Sequence, residues 1–203
     1  KFIPDWYSAE ELRKGDVILY PVPKGVKRLK SIEFDADKLK YDFKSKALPR
    51  QIEVNNGFCR MVGYYLSEGY VITDKCKGTI GFVFNSKEKS YIEDVLKLMQ
   101  KIFGIKPAGL IYNRRATGVN IPFYSARLAR FFQKHFGNGA ANKHVPHWMM
   151  ELPLEQQRAL LSGLWRGDGY IDLKRQRAKY VTISKQLAYQ LRLLLLRQKI
   201  ISN

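Results

Sequence analysis

Leu161-Ser162-Gly163-Leu164-Trp165-Arg166-Gly167-Asp168-Gly169-Tyr170 is an apolar, helix-like run that holds one small glycine and closes on an acid, a glycine and a tyrosine. One hundred positions earlier, Met61-Val62-Gly63-Tyr64-Tyr65-Leu66-Ser67-Glu68-Gly69-Tyr70 repeats the pattern. Glu68 and Asp168 fall in the same slot, and Gly63 and Gly163 stand five residues before them. Two related carboxylates in two related settings imply a pseudo-twofold site.

In both copies the acid sits at the C-terminal end of its predicted helix. The macrodipole is negative there, so the placement costs up to about 1 kcal/mol. A local rule broken twice in the same way marks function. Gly69 and Gly169 can end the helices in the left-handed conformation. Gly63 and Gly163 would let two helices pack closely side by side, and Glu68 and Asp168 then converge at one end of the seam. Neighbouring carboxylates repel unless a cation lies between them. Oxygen ligands near phosphate suit magnesium, and such a pair can activate water for phosphodiester hydrolysis.

The elements around the two strings fall in parallel. Asn55 or Asn56 caps a helix over about 58–68, two strands follow around 74–78, and Ser86 caps a helix with the stripe Tyr91, Val95, Leu96, Met99, Ile102 and Phe103. Gly104 ends that helix. A second hairpin spans 108–123, and Ser125 caps a helix bearing Leu128, Phe131 and Phe132. In the second half, Pro153 opens a helix, two strands lie within 170–183, and Ser184 caps a helix with the stripe Leu187, Leu191, Leu194 and Leu195. The predicted class is α+β, built by duplication. Residues 1–22 read as a compact segment: Ser8 caps a short helix over 9–14, Gly15 ends it, and 17–20 form a strand. Residues 23–50 read as a basic linker or arm, part of which can pair as strand. The first repeat spans 51–150 and the second 151–203.

Charge separates function classes. The chain carries 36 Lys+Arg against 18 Asp+Glu, a net charge of +18. The surplus is spread over residues 1–50, 51–150 and 151–203 alike, so a polyanion partner fits better than a basic tail, and nucleic acid is the commonest. No run approaches the roughly 20 apolar residues of a membrane span, and the N-terminus has no apolar signal region. Cys59 and Cys76 lack zinc spacing and read as reduced thiols of a cytoplasmic protein. His135, His144 and His147 read as loop or packing residues, because Pro146 breaks the possible His144–His147 pair.

The paired strings resemble the motifs of the LAGLIDADG homing endonucleases, in the form found within inteins; Trp165-Arg166-Gly167-Asp168-Gly169-Tyr170 is the closer match. The resemblance covers about 50–203. It implies αββαββα repeats with saddle-shaped antiparallel sheets about a pseudo-twofold axis, and residues 55–137 match one such unit. It implies site-specific double-strand DNA cleavage by a pseudo-symmetric monomer at a long asymmetric target. Glu68 and Asp168 would then hold Mg2+ or Mn2+. Lys143, in the loop before the second motif, matches the family's active-site basic residue; a phosphate-holding or solvated lysine is its alternative. Measured against the family the second repeat is incomplete, lacking its second hairpin, so a missing segment or a partner chain would complete it. Around Trp6, Gly15-Asp16 and Tyr20-Pro21 the chain resembles part of an intein splicing domain, without the terminal residues that splicing needs.

Lys75 and Lys77, Arg114 and Arg115, and Lys174, Arg175, Arg177 and Lys179 fall at hairpin turns, where a two-stranded ribbon can enter the major groove. Lys27, Arg28 and Lys30 suit phosphate contacts. Tyr64, Tyr65 and Trp165 read as packing residues. Arg166 can pair with a carboxylate or touch DNA. A non-catalytic nucleic-acid-binding module, an RNA maturase or a DNA-binding regulator, is the alternative function on the same scaffold.

Overall fold

The computed structural model describes residues 5–19, 22, 24–36, 38–40, 42, 47–74, 77–113 and 117–202. A 3-10 turn, Ala9–Glu11, precedes β1 (Ser31–Glu33) and β2 (Gln51–Glu53). Next come α1 (Asn56–Glu68), β3 (Gly69–Thr73), β4 (Gly78–Asn85), α2 (Lys89–Phe103), β5 (Ile111–Tyr112), β6 (Gly118–Tyr124) and α3 (Ala126–Phe136). The second half holds α4 (His147–Met150), α5 (Leu154–Asp168), β7 (Gly169–Asp172), β8 (Arg177–Tyr180) and α6 (Lys185–Arg197).

The helix–strand–strand–helix order thus occurs twice, and in the first half a second hairpin and a third helix follow it. β3, β4, β6 and β5 lie in that order in one antiparallel sheet, while β7 and β8 form a two-stranded ribbon. Gly69 pairs with Phe82 and Gly169 with Tyr180, so the two ribbons start in the same register.

α1 begins where the Asn55 side chain accepts the Phe58 N–H at 3.0 Å, satisfying one of the free donors of a helix start. It buries nearly its whole circumference, including Phe58, Cys59, Met61, Val62, Tyr64, Tyr65 and Leu66, because α5, α2 and strands β3 and β4 all pack against it. The sheet alternates as its pattern dictates. Val71, Ile80, Phe82, Phe84, Val119, Ile121 and Phe123 turn into the core. α3 closes it with Phe131, Phe132 and Phe136; Phe132 meets the Tyr65 ring edge-on at 4.8 Å. Cys59 is a free, buried thiol pushed up to about 12 by burial. Cys76 lies outside the described residues.

Several expectations are corrected. Val17, Ile18 and Leu19 form no strand and are exposed; without a partner edge among the described residues a strand has nothing to bond to. Ser86 does not cap α2. Instead Glu88 accepts the Asn85 N–H at 2.8 Å and Ser86 donates to the Thr117 carbonyl, so the turn closes first and the helix starts at Lys89. The buried stripe of α2 is Ile92, Val95, Leu98, Met99 and Phe103, with Tyr91, Leu96 and Ile102 at its margin. Gly69 and Gly169 end their helices in extended backbone, with φ −81 and −86, rather than left-handed. They are glycines for space: a Cβ on Gly69 would lie 2.6 Å from the Tyr65 carbonyl oxygen.

The stretch read as a linker is partly docked. β1 pairs with β2, and Phe34 stacks on Phe131 of α3 at 4.9 Å. Asp35 bonds Lys134 and His135, and Asp42 pairs with Arg130, all across to α3.

Candidate active site

α1 and α5 run together along the glycine seam. A Cβ on Gly63 would strike the Leu160 carbonyl and lie 2.8 Å from the Gly163 Cα; one on Gly163 would lie 2.9 Å from the Gly63 Cα. The helices therefore touch backbone to backbone. At the far start of the seam Asn56 donates to Glu155 at 2.6 Å and Gln156 to the Val54 carbonyl at 2.9 Å.

At the other end the acids meet. A Cβ on Gly167 would lie 2.5 Å from the Ser67 Cβ and 2.8 Å from the Glu68 Cγ, so the glycine before Asp168 is seated against Glu68. Burial pushes the half-buried Glu68 carboxyl up to about 7, and the charge of Asp168 pushes the same way. Asp168 keeps exposed surface, yet lost hydration on its inner side raises its carboxyl as well, opposed by Lys143 and by a hydrogen bond from Tyr180.

Lys143 reaches this end from the loop before α4. It is buried at 6% exposure, donates from Nζ to the Ser67 carbonyl at 3.0 Å and lies over the Tyr65 ring at 5.5 Å. Burial lowers its ammonium to about 8, while Asp168 and Glu68 hold it up. Ser184 anchors the loop by donating to the Lys143 carbonyl at 2.7 Å. The structure thus brings together the three residues expected to do chemistry. A divalent cation fits the donor set: two carboxylates, both disfavoured as anions and near enough for the charge of Asp168 to act on Glu68, offer oxygen ligands only. Among the described residues no group of three or more His, Cys, Asp or Glu gathers as a metal site.

The basic residues distribute differently. Lys77, Lys174, Arg175, Arg177 and Lys179 are exposed at or beside hairpin turns. Asp172 holds the β7–β8 turn by accepting the N–H groups of Lys174 and Arg175, each at 3.1 Å. Lys75, Arg114 and Arg115 lie outside the described residues. Lys27, Arg28 and Lys30 are exposed but not near the acids. Arg28 lines a cleft of about 800 Å³ with Asn55, Asn56, Pro153 and Glu155 at the start of the seam, a helix length of roughly 20 Å away.

Tyr180 donates to the Asp168 carboxylate at 3.4 Å and packs its ring against Trp165 at 5.4 Å; its only sequence signal is the strand register. Asp94 of α2 accepts a two-pronged bond from Arg60 at 2.7 and 2.9 Å, a bond from the Tyr64 hydroxyl at 3.0 Å and one from Arg166 at 3.2 Å. Arg166 therefore pairs with a carboxylate and ties α5 to α2. Tyr64 and Tyr65 are fully buried packing residues, as expected.

Paired helices with acids converging at one end and antiparallel strands springing from both acids define the α+β LAGLIDADG fold. The sequence pattern of the LAGLIDADG-like domain matches residues 155–203. The fold is similar to the crystal structure of an I-DmoI variant in complex with its target DNA, nicked in the coding strand, in the presence of 2 mM Mn. That match has a TM-score of 0.55, 15% identity, and covers 74% of this chain and 80% of that one. By sequence the chain is 38% identical to the uncharacterized protein MJ0043 of Methanocaldococcus jannaschii, over 97% of this chain and 24% of that protein. It is 27% identical to the ATP-dependent DNA helicase Hel308 of Thermococcus kodakarensis, over 94% of this chain and 19% of the helicase. The chain spans a quarter or less of the length of these curated relatives.

Proposed function

We propose that this chain is the nuclease part of a site-specific homing endonuclease that cuts double-stranded DNA. The observation that carries the reading is the meeting of Glu68, Asp168 and Lys143 at one end of the glycine seam. Glu68 and Asp168 would hold Mg2+ or Mn2+, which supplies Lewis acidity at the scissile phosphate and a more acidic bound water. The buried Lys143 ammonium is positioned beside both carboxylates to stabilise negative charge developing on phosphate oxygens. Tyr180 restrains the Asp168 carboxylate. The two sheets straddle the duplex, and the +18 net charge draws it in. Recurrence of nearly the whole chain within a helicase five times its length supports an element inserted in a larger host, in keeping with an intein origin and a cytoplasmic setting.

Incubation of the chain with a random-sequence duplex library and Mg2+ tests this, beside Glu68→Gln and Asp168→Asn. Cleavage at a defined site, lost in both variants, is the expected result. Binding without cleavage by the longer host protein that holds this chain, in Mg2+ or Mn2+, overturns the nuclease reading in favour of a binding module.

A further inference from the structure

The outward faces of the two sheets differ in chemistry. In the first sheet the register aligns Ile72 with Thr79 and Tyr124, Tyr70 with Gly81 and Pro122, and Val83 with Asn120 and Ile111. None of these is charged. Ile72, Val83, Ile111 and Tyr124 are 60, 40, 55 and 68% exposed, although the opposite face is already a filled core. One amide stands among them: Asn120 accepts the Tyr70 hydroxyl at 2.9 Å on Oδ1. The Tyr70 ring lies across Gly81, where a Cβ would come within 2.5 Å of its Cε1. The carboxamide of Asn120 is thereby oriented, with both its N–H groups and one oxygen lone pair left to offer. Asn85 on the same face is spent on its own turn, bonding Thr117 and the Lys87 N–H.

The β7–β8 ribbon repeats the register with other side chains. Where the first sheet has Thr79 and Gly81, the ribbon has Arg177 and Lys179, paired with Asp172 and Tyr170. Both cations are exposed. Both ribbons spring from the acids, β3 directly after Glu68 and β7 directly after Asp168.

We propose that the two sheets read opposite base compositions: the first sheet A·T pairs and the β7–β8 ribbon guanines. The inference rests on the DNA-cleaving reading above and deepens it. In the major groove an amide fits the N6/N7 edge of adenine, apolar side chains fit the thymine methyl, and Arg or Lys fits O6/N7 of guanine. Asn120 reads adenine, Ile72, Val83 and Tyr124 pack on thymine methyls, and Arg177 and Lys179 read guanine. An uncharged apolar face on a monomer is often a protein contact. Here the +18 charge and the flanking acid pair commit it to duplex DNA.

Selection of bound duplexes from a random library by the full chain, at one fixed salt concentration, tests the inference. The expected product has one A·T-rich half-site and one guanine-bearing half-site. Uracil in place of thymine in the A·T-rich half removes only the methyl groups, and should weaken binding several-fold while the same change in the other half does nothing. Asn120→Arg should move the preference at one position from adenine to guanine by about tenfold or more, and Arg177→Asn should do the reverse in the other half. Binding that selects guanine under both sheets, or ignores uracil, overturns the base assignment and leaves the DNA reading standing. If no duplex is retained, the DNA reading fails and this inference with it.

Discussion

Gly63 and Gly163 face each other so closely that a Cβ on either would come within 2.9 Å of the other's Cα. Alanine at a glycine inside a helix ordinarily stabilises it by about 1 kcal/mol. Here the sign should reverse. Gly63→Ala would strike the Leu160 carbonyl, which is backbone and cannot swing aside, so α1 and α5 must separate. Either substitution should destabilise by about 2–3 kcal/mol, read from urea denaturation midpoints. An unchanged midpoint would mean that the seam is looser than described.

Glu68 and Asp168 are like charges held together where water is partly excluded. In buffer stripped of divalent metal, Glu68→Gln or Asp168→Asn should raise the melting temperature by about 2–4 °C. Added Mg2+ should raise it for the native chain and much less for either variant. Thermal melts with chelator and with Mg2+ measure both effects. A metal-dependent rise that survives in both variants places the cation elsewhere.

Removing Lys143 separates chemistry from binding. Lys143→Met keeps the packing of the aliphatic stem over Tyr65 and deletes the ammonium. Cleavage should fall at least about 100-fold with target affinity nearly unchanged. A solvated lysine that merely held phosphate would show the opposite split, with weaker binding and a steady rate on bound substrate.

Asp94 should govern the acid side of stability. Burial alone would raise its carboxyl, but the hydrogen bond and charge of Arg60, the Tyr64 hydroxyl and Arg166 together hold it below the usual carboxylate range. A carboxyl lowered on folding contributes stability that is present above its unfolded value near pH 4, and loses it as pH falls through the folded value. Melting temperature should therefore drop below about pH 4 in the native chain, and Asp94→Asn should shrink that drop. At neutral pH the same variant should cost about 1–2 kcal/mol, because the side chains keep some solvent.

The parts of the fold readable in the chain are those with local signatures. Asn55, Ser125 and Ser184 cap their helices as their types suggest, and the three hairpins β3–β4, β5–β6 and β7–β8 follow from strand-forming runs on either side of turn residues. Gly63, Gly163, Glu68 and Asp168 could be read together because identical spacing on two helices implies a shared geometry. Gly69 and Gly169 end their helices for a reason other than left-handed freedom. A helix-ending glycine usually signals backbone freedom, whereas here the constraint is crowding by Tyr65 and Trp165, which no residue type announces.

Spacing along the chain decides periodicity, caps and the pairing of the two motifs, because those depend on neighbours a few residues apart. Three-dimensional packing alone decides that Asp94 binds both motif helices, that Tyr180 steadies Asp168, and that Phe34 and Asp42 dock on α3. Among the described strand residues, packing also sets one outward sheet face neutral and the other basic, since strand register and pleat choose which alternate residues meet solvent. Those contacts join residues about 10 to 100 positions apart, and their register is set by how whole elements pack rather than by any local pattern.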